Sequence, residues 1–165
     1  MNPYVLWSAV WFGVIAAGFF IVDHLTRQPP VMSQVTAGTQ ELAIPVSRDG
    51  HYYVKGSING VPLTYMIDTG ASYVSVGEDF ARAARLPQGI TGYFNTANGI
   101  VEGKIVKDQV VEADAFRVTG LSVAVTPLQG GTALLGQNFL RRFEVSQAAG
   151  VMRLKLSSTS ASKDR

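Results

Sequence analysis

The sequence predicts a mostly β, barrel-like domain with one or two short helices, preceded by a single N-terminal transmembrane helix. Three observations support this prediction. Many short runs rich in β-branched and aromatic residues alternate with glycine-containing turns, which is typical of compact β folds. Two short segments, residues 78–85 and 137–143, have the composition of helices. Residues 3–22 contain no charged side chain.

The charge-free segment has the length and composition of a membrane anchor. Twenty residues in a helix extend about 30 Å, which is enough to cross the hydrocarbon core of a bilayer. Tyr4, Trp7 and Trp11 suit the interface between lipid and water. A cleaved signal peptide and a buried core helix are the alternatives, but the basic start of a signal peptide is missing. We therefore expect an anchor at residues 1–22, followed by a polar, proline-containing linker at residues 23–40.

The predicted domain spans residues 41–156 and begins with strands. Strand-like runs at residues 42–46 and 51–58 are separated by a turn sequence at residues 48–50. Asn59-Gly60 predicts a tight type I′ hairpin, because that turn needs a positive φ at both central residues. The strand that follows the turn ends at Asp68.

The second half of the domain is predicted to mix strands with two short helices. The helix at residues 78–85 is expected to turn Phe80, Ala83 and Ala84 inward. Strands at residues 92–96 and 100–113 are joined by a turn at Asn98-Gly99. Further strands are expected at residues 116–118, 121–127 and 151–156, with a second helix at residues 137–143. The polar tail at residues 157–165 is expected to be disordered.

Asp68-Thr69-Gly70 is the most informative motif in the chain. The acidic residue follows an apolar run and precedes a glycine turn, where backbone donors can hold a partly desolvated carboxylate. A carboxyl group in that setting can work as an acid or a base. By itself the triplet also fits a plain turn in which the aspartate caps backbone amides. A second segment, Leu134-Leu135-Gly136, follows about 65 residues later and makes a chance match less probable.

Together the two segments resemble the retropepsin-like aspartic proteases, in particular their bacterial membrane-anchored branch. The resemblance implies a retropepsin-like closed barrel in which Asp68 is catalytic. It also implies that three groups of residues surround this carboxyl: an active-site loop, a flap over the substrate at residues 96–103, and a segment that backs the loop. The loop is Thr69, Gly70, Ala71 and Ser72; the flap residues are Thr96, Ala97, Asn98 and Gly99; the backing residues are Leu134, Leu135 and Gly136.

The chemistry of this family needs two carboxyl groups that share one proton. The chain contains a single Asp-Thr-Gly, so the second aspartate has to come from a second copy of the chain in a symmetric homodimer. The resemblance then implies an aspartic endopeptidase that acts on protein or peptide substrates without a cofactor or metal. The alternative is a catalytically silent module with the same fold that binds extended peptides at the membrane.

Composition excludes several other functions. The chain has no cysteine, so disulfides, thiolate catalysis and cysteine-bound metals are excluded. His24 and His51 have no partners at metal-ligand spacing. The 14 lysines and arginines are scattered rather than grouped with aromatic residues, so no nucleic-acid partner is predicted.

Arg27 weakly favours a cytoplasmic domain by the positive-inside rule. The family resemblance implies instead a single-pass protein of the bacterial inner membrane with a periplasmic domain, and this is the location we expect.

Overall fold

The structure, a computed structural model, describes residues 18, 34–35, 41–96, 99–128 and 131–156. The chain divides into two units, residues 1–30 and 31–165. Apart from three residues, the predicted anchor and linker lie outside the described residues, as does the whole predicted tail. Those domain boundaries therefore remain predictions. Within the described part of the chain, no helix is long and apolar enough to cross a membrane.

The described residues of the second unit form eleven strands and two short helices. In chain order these are β1 (Gln34–Val35), β2 (Glu41–Pro45), β3 (Tyr53–Ile58), β4 (Val61–Ile67), β5 (Val74–Gly77), α1 (Glu78–Ala83), β6 (Ile90–Thr96), β7 (Gly99–Ala113), β8 (Phe116–Thr126), β9 (Ala133–Leu135), α2 (Gln137–Leu140), β10 (Phe143–Ala148) and β11 (Val151–Leu156).

Six strands close into a barrel, which confirms the predicted mostly β architecture. They are hydrogen-bonded in the order β3-β4-β9-β5-β8-β7, and β7 pairs back onto β3. β4 and β9 run parallel, as do β5 and β8, while the other pairs in the barrel are antiparallel. β6 is added to the outside of the barrel through β7. A separate sheet has the order β1-β2-β11-β10.

The core fills the barrel and extends beneath the second sheet. Strand residues alternate between the core and solvent, so that Leu42 and Ile44 of β2 and Leu154 of β11 are almost completely buried. α2 contributes Phe139, whose ring stacks on Phe143 with 5.2 Å between centroids. Full burial of side chains of this size contributes about 1.5–3 kcal/mol each to stability. The fold is therefore held mainly by apolar contacts between residues far apart in sequence.

The turn at Asn59-Gly60 has the geometry that the sequence predicts. The φ angles are +51° at Asn59 and +82° at Gly60, as a type I′ hairpin requires. The Asn59 side chain also accepts a hydrogen bond from the Val110 N–H at 3.0 Å. The turn between β3 and β4 is thereby joined to β7, the strand that closes the barrel.

Three predicted boundaries were wrong. The first helix ends at Ala83 rather than at residue 85, because Arg85 takes a φ of +50°. Ala83, which was predicted to face inward, is exposed, and Ala81 packs against the core instead. The second helix ends at Leu140, since Phe143 already pairs with β11. The two strands predicted at residues 116–127 are one continuous strand, in which Gly120 has a φ of +71°.

Candidate active site

Asp68 lies at the end of β4, between the barrel core and solvent. The preceding residue, Ile67, is buried, and its N–H donates to the carbonyl of Tyr52 at 2.9 Å. The N–H of Asp68 donates to the carbonyl of Leu135 at 3.2 Å. Because Leu135 belongs to the parallel neighbour β9, the backbone of Asp68 is held by a strand that comes about 65 residues later.

The turn after β4 orients the carboxylate itself. Asp68 Oδ1 accepts a hydrogen bond from the N–H of Gly70 at 2.8 Å, and the N–H of Ala71 donates to the Asp68 carbonyl at 3.3 Å. A Cβ atom at residue 70 would lie 3.2 Å from Oδ1. Glycine therefore lets the backbone approach the carboxylate closely. The half-buried carboxylate is held by a backbone donor and remains accessible from the adjoining cavity.

The predicted backing segment passes directly behind the loop. The N–H groups of Gln137 and Asn138 donate to the carbonyls of Ala71 at 2.7 Å and of Ser72 at 3.1 Å. A Cβ atom at Gly136 would lie 2.7 Å from the Ala71 carbonyl oxygen and would collide with the Tyr73 carbonyl group. Glycine is needed there because two backbone segments meet with no space for a side chain.

Two amide side chains that sequence reasoning did not single out complete this support. Asn138 is buried; its Oδ1 accepts the N–H of Val74 at 2.8 Å and its Nδ2 donates to the carbonyl of Ser122 at 2.7 Å. Gln137 Nε2 donates to the carbonyl of Thr69 at 2.9 Å. The available signal was a pair of amide residues directly before the apolar pair Phe139-Leu140.

A cavity of about 660 Å³ separates the Asp68 loop from the hairpin formed by β6 and β7. Asp68 is the one charged residue among the described residues that line it. The lining residues are Asp68, Gly70, Ala71, Ser72, Tyr73, Ser75, Tyr93, Phe94, Asn95, Thr96, Ile105, Thr126, Leu128 and Leu134. Cavities of about 370 and 310 Å³ elsewhere on the domain do not include Asp68.

Six of the twelve predicted site residues line this cavity. The loop residues Gly70, Ala71 and Ser72 line the cavity, whereas Thr69 is exposed outside it. Of the backing residues, Leu134 lines the cavity, and Leu135 and Gly136 lie beneath the loop. Of the four predicted flap residues, Thr96 lines the cavity, and its Oγ1 donates to the carbonyl of Gly99 at 2.8 Å. Ala97 and Asn98 lie outside the described residues. The functional roles of these residues stay predictions.

Residues 54–142, more than half of the chain, match the sequence profile of a protein family described as "gag-polyprotein putative aspartyl protease". The chain belongs to this family. The predicted membership among the retropepsin-like aspartic proteases is thereby confirmed.

Two known proteins are similar to this retropepsin-like chain. The "Uncharacterized protein RP867" of Rickettsia prowazekii (strain Madrid E) is 32% identical over 110 residues, which is 63% of this chain and 46% of that protein. The match therefore spans less than half of that relative. The crystal structure of a retropepsin-like aspartic protease from Rickettsia conorii superposes with a TM-score of 0.58 at 24% identity, covering 73% of this chain and 100% of that one. The likeness to that structure shows the retropepsin-like fold.

Within the described part of this retropepsin-like chain, no three histidine, aspartate or glutamate side chains come close enough to hold a metal ion. The groups that line the cavity with Asp68 are backbone groups, hydroxyl groups, apolar side chains and the side-chain amide of Asn95. This set of groups can orient a carboxylate and a water molecule and can contact a peptide.

Proposed function

We propose that this chain is an aspartic endopeptidase that hydrolyses peptide bonds as a homodimer, without a metal or cofactor. One observation carries the proposal. The Asp68 carboxylate, oriented by the Gly70 N–H at 2.8 Å, lines a cavity of about 660 Å³ whose opposite wall is the β6–β7 hairpin. A carboxylate fixed in this way can exchange a proton with water beside a bound peptide.

The reaction needs the Asp68 carboxyls of two copies, which share one proton because carboxylates about 3 Å apart cannot both ionise. The ionised carboxylate takes a proton from water, and the water oxygen forms a bond to the scissile carbonyl carbon. The protonated carboxyl donates its proton to the carbonyl oxygen, giving a tetrahedral diol. The carboxyl that took the proton from water then donates it to the amide nitrogen. The C–N bond breaks while the other, now ionised carboxyl takes a proton from a diol hydroxyl and the C=O bond re-forms, so that an acid and an amine leave and the pair again shares one proton.

The structure of one copy supports a site that is completed by a second copy. The chain has a single Asp-Thr-Gly, and Thr69 is exposed, so that its hydroxyl is accessible to a partner. The extended β6–β7 hairpin offers backbone groups to a peptide bound as a strand. An anchor at residues 1–22 would raise the local concentration of copies in a bilayer and favour pairing.

The first test is peptide cleavage by the full chain in detergent micelles, measured with a degenerate octapeptide library between pH 4 and pH 8. We expect the wild type to cleave and Asp68→Asn to lose activity by at least about 100-fold, since a proton-transfer group contributes this much or more. Asp79→Asn is the matched control, because Asp79 is exposed on α1 outside the cavity. Both variants should unfold at the wild-type temperature.

A mixing experiment tests the shared site. When the wild type is re-equilibrated with a tenfold excess of Asp68→Asn, nearly all wild-type copies pair with an inactive partner, so activity should fall to roughly a tenth. Full activity in the mixture would contradict a site built from two chains. A wild type that is dimeric in sedimentation and binds the library peptides without cleaving them would instead support the silent peptide-binding module.

The proposed location is the bacterial inner membrane, with one spanning helix and a periplasmic catalytic domain. Its support is the charge-free residues 3–22 and the resemblance to membrane-anchored retropepsin-like proteases. Protease added to spheroplasts should degrade the domain while a cytoplasmic marker stays intact. Protection of the domain in intact spheroplasts, with degradation after lysis, would place it in the cytoplasm.

A further inference from the structure

An aromatic contact joins the two walls of the Asp68 cavity. The ring of Tyr73, five residues after Asp68, meets the ring of Phe94 in β6 with 6.2 Å between centroids and an angle of 88° between planes. This edge-to-face arrangement is favourable for aromatic pairs. Both residues are half-buried and both line the cavity. The two rings therefore form a continuous piece of its wall.

Tyr73 is held firmly from beneath. Its carbonyl group packs over Gly136, where any side chain would collide with it. The same carbonyl accepts a hydrogen bond from Ser75 Oγ at 3.2 Å. The next residue, Val74, donates its N–H to the buried Asn138 side chain at 2.8 Å. Because these contacts fix the backbone at Tyr73, the ring can leave Phe94 only by rotating about its own side-chain bonds.

Phe94 is supported from the other wall. Its ring lies against Gly92 and Gly103, which face each other across the β6–β7 ladder. A Cβ atom would lie 3.6 Å from the Phe94 ring if placed at Gly92, and 3.0 Å if placed at Gly103. The two glycines leave room for the ring on the hairpin backbone, and the ring covers backbone that would otherwise be exposed.

We propose that the Tyr73–Phe94 pair limits the size of the substrate side chain that this cavity admits beside Asp68. This inference rests on the proposed function, and it states which substrate side chains the proposed endopeptidase prefers. Each ring packs next to main chain on its own side, so a large side chain has to break the edge-to-face contact to pass between the two rings. Ile105 and Leu134 add apolar surface, and the described lining carries no charge besides Asp68. We therefore expect aliphatic side chains up to the size of leucine to be preferred over phenylalanine and tryptophan.

The test compares the full-length wild type with Tyr73→Ala, Tyr73→Phe and Phe94→Leu. The substrates are octapeptide mixtures with alanine, valine, leucine, phenylalanine or tryptophan fixed at one central position and the other positions randomised. We expect the wild type to prefer leucine over tryptophan by about tenfold in kcat/KM, as hydrophobic pockets commonly discriminate. Tyr73→Ala and Phe94→Leu should each raise the tryptophan-to-leucine ratio about tenfold. Tyr73→Phe keeps the ring and should keep the wild-type ratio.

Tyr53→Ala removes a ring outside the cavity and serves as the matched control, with an unchanged ratio. Cleavage by Tyr73→Ala and Phe94→Leu with the wild-type ratio would overturn the size limit and leave the proposed function intact. If the wild type cleaves no mixture, the proposed function fails, and the size limit is measured by binding instead. In that case the same peptides are titrated against Asp68→Asn with and without Tyr73→Ala, and unchanged relative affinities would overturn the inference.

Discussion

The two walls of the Asp68 cavity are built differently. The loop wall is held by residues distant in sequence: Leu135 accepts the Asp68 N–H, and the N–H of Gln137 and the side chain of Asn138 bond to the segment that follows. The hairpin wall depends on its own ladder, since β6 pairs with β7 alone among the described strands. Tyr93 and Ile100 on this hairpin are 72% and 71% exposed.

This difference matches two requirements of the proposed hydrolase. A carboxylate that activates water has to be held to within about 0.5 Å of its working position, which suits the loop that is tied to β9 and α2. A substrate has to enter, and elements that open are drawn from the parts of a fold with few buried contacts. We therefore expect substitutions on the loop side to change stability and substitutions on the hairpin side to change substrate binding.

Gly136→Ala should have the largest effect. The new methyl group would lie 2.7 Å from the Ala71 carbonyl oxygen and would collide with that of Tyr73, so one of the two backbone segments has to move. We expect a loss of about 3 kcal/mol in the free energy of unfolding, at the upper end for overpacking, measured by urea denaturation. Activity should fall as well, because the same movement displaces Asp68.

Gly92→Ala on the hairpin is the matched control. A Cβ atom there meets the side chain of Ile105 at 3.1 Å, and the end of a side chain can shift where a backbone carbonyl cannot. The free energy of unfolding should change by less than about 1 kcal/mol. Equal decreases in the free energy of unfolding of Gly136→Ala and Gly92→Ala would contradict the proposed difference between the two walls.

Asn138→Asp should have the second largest effect. The substitution keeps the acceptor for the Val74 N–H but places an oxygen against the carbonyl of Ser122, where the amide donates at 2.7 Å. A buried group without its partner costs about 1–3 kcal/mol, so we expect a loss of about 2 kcal/mol at pH 7. The deficit should shrink as the pH falls, because a protonated carboxyl can donate again. Asn95→Asp, on the exposed strand β6, should change stability by less than about 0.5 kcal/mol.

The sequence predicted the loop wall better than the hairpin wall, and the reason is physical. The Asp68 loop and Leu134-Leu135-Gly136 could be paired because their residue types recur together in the retropepsin-like family. The bonds of Asn138 could not be predicted, since they depend on the parallel pairing of β4 with β9 and on the position of β8. No periodic pattern relates Tyr73 to Phe94, which meet only through the fold.

Local conformation also decided where helices and strands end. The helix pattern at residues 78–85 continues past Ala83 in composition, but Leu86 donates its N–H to the Ala81 carbonyl at 2.9 Å and ends the helix early. β10 was not predicted because its first residue, Phe143, was assigned to the preceding helix and the residues after Phe143 are exposed. Such strands are specified by their neighbour, here β11, rather than by their own sequence.

Alkaline unfolding tests the barrel beneath the loop wall. Burial raises the pKa of Tyr65 above its usual 10.0, and the negative charge of Glu112 adds to the increase. The Tyr65 hydroxyl donates a hydrogen bond to the Ser57 carbonyl at 2.9 Å. The unfolded chain ionises this phenol near pH 10 while the folded chain keeps it neutral. Stability is therefore constant below pH 10 with respect to this group and falls as the pH rises above 10. The slope from this residue is at most about 1.4 kcal/mol per pH unit.

Tyr65→Phe should remove that part of the alkaline slope and cost about 1 kcal/mol at neutral pH for the lost hydrogen bond. Urea denaturation at pH 7, 9, 10 and 11 measures both effects. An unchanged slope between pH 10 and 11 would mean that Tyr65 ionises in the folded chain, and that β4 is less firmly packed next to Asp68 than the structure indicates.

Ile100→Ala should have the smallest effect on stability and still affect function. The side chain is 71% exposed, so the free energy of unfolding should change by less than about 0.5 kcal/mol. If a bound peptide or a second copy covers about one of the three carbons that the substitution removes, KM should rise about fourfold, since a buried methylene contributes about 0.8 kcal/mol. Steady-state kinetics beside urea denaturation separates the two effects. A loss of stability with unchanged KM would mean that the hairpin is a structural element, and that the two walls differ in exposure but not in role.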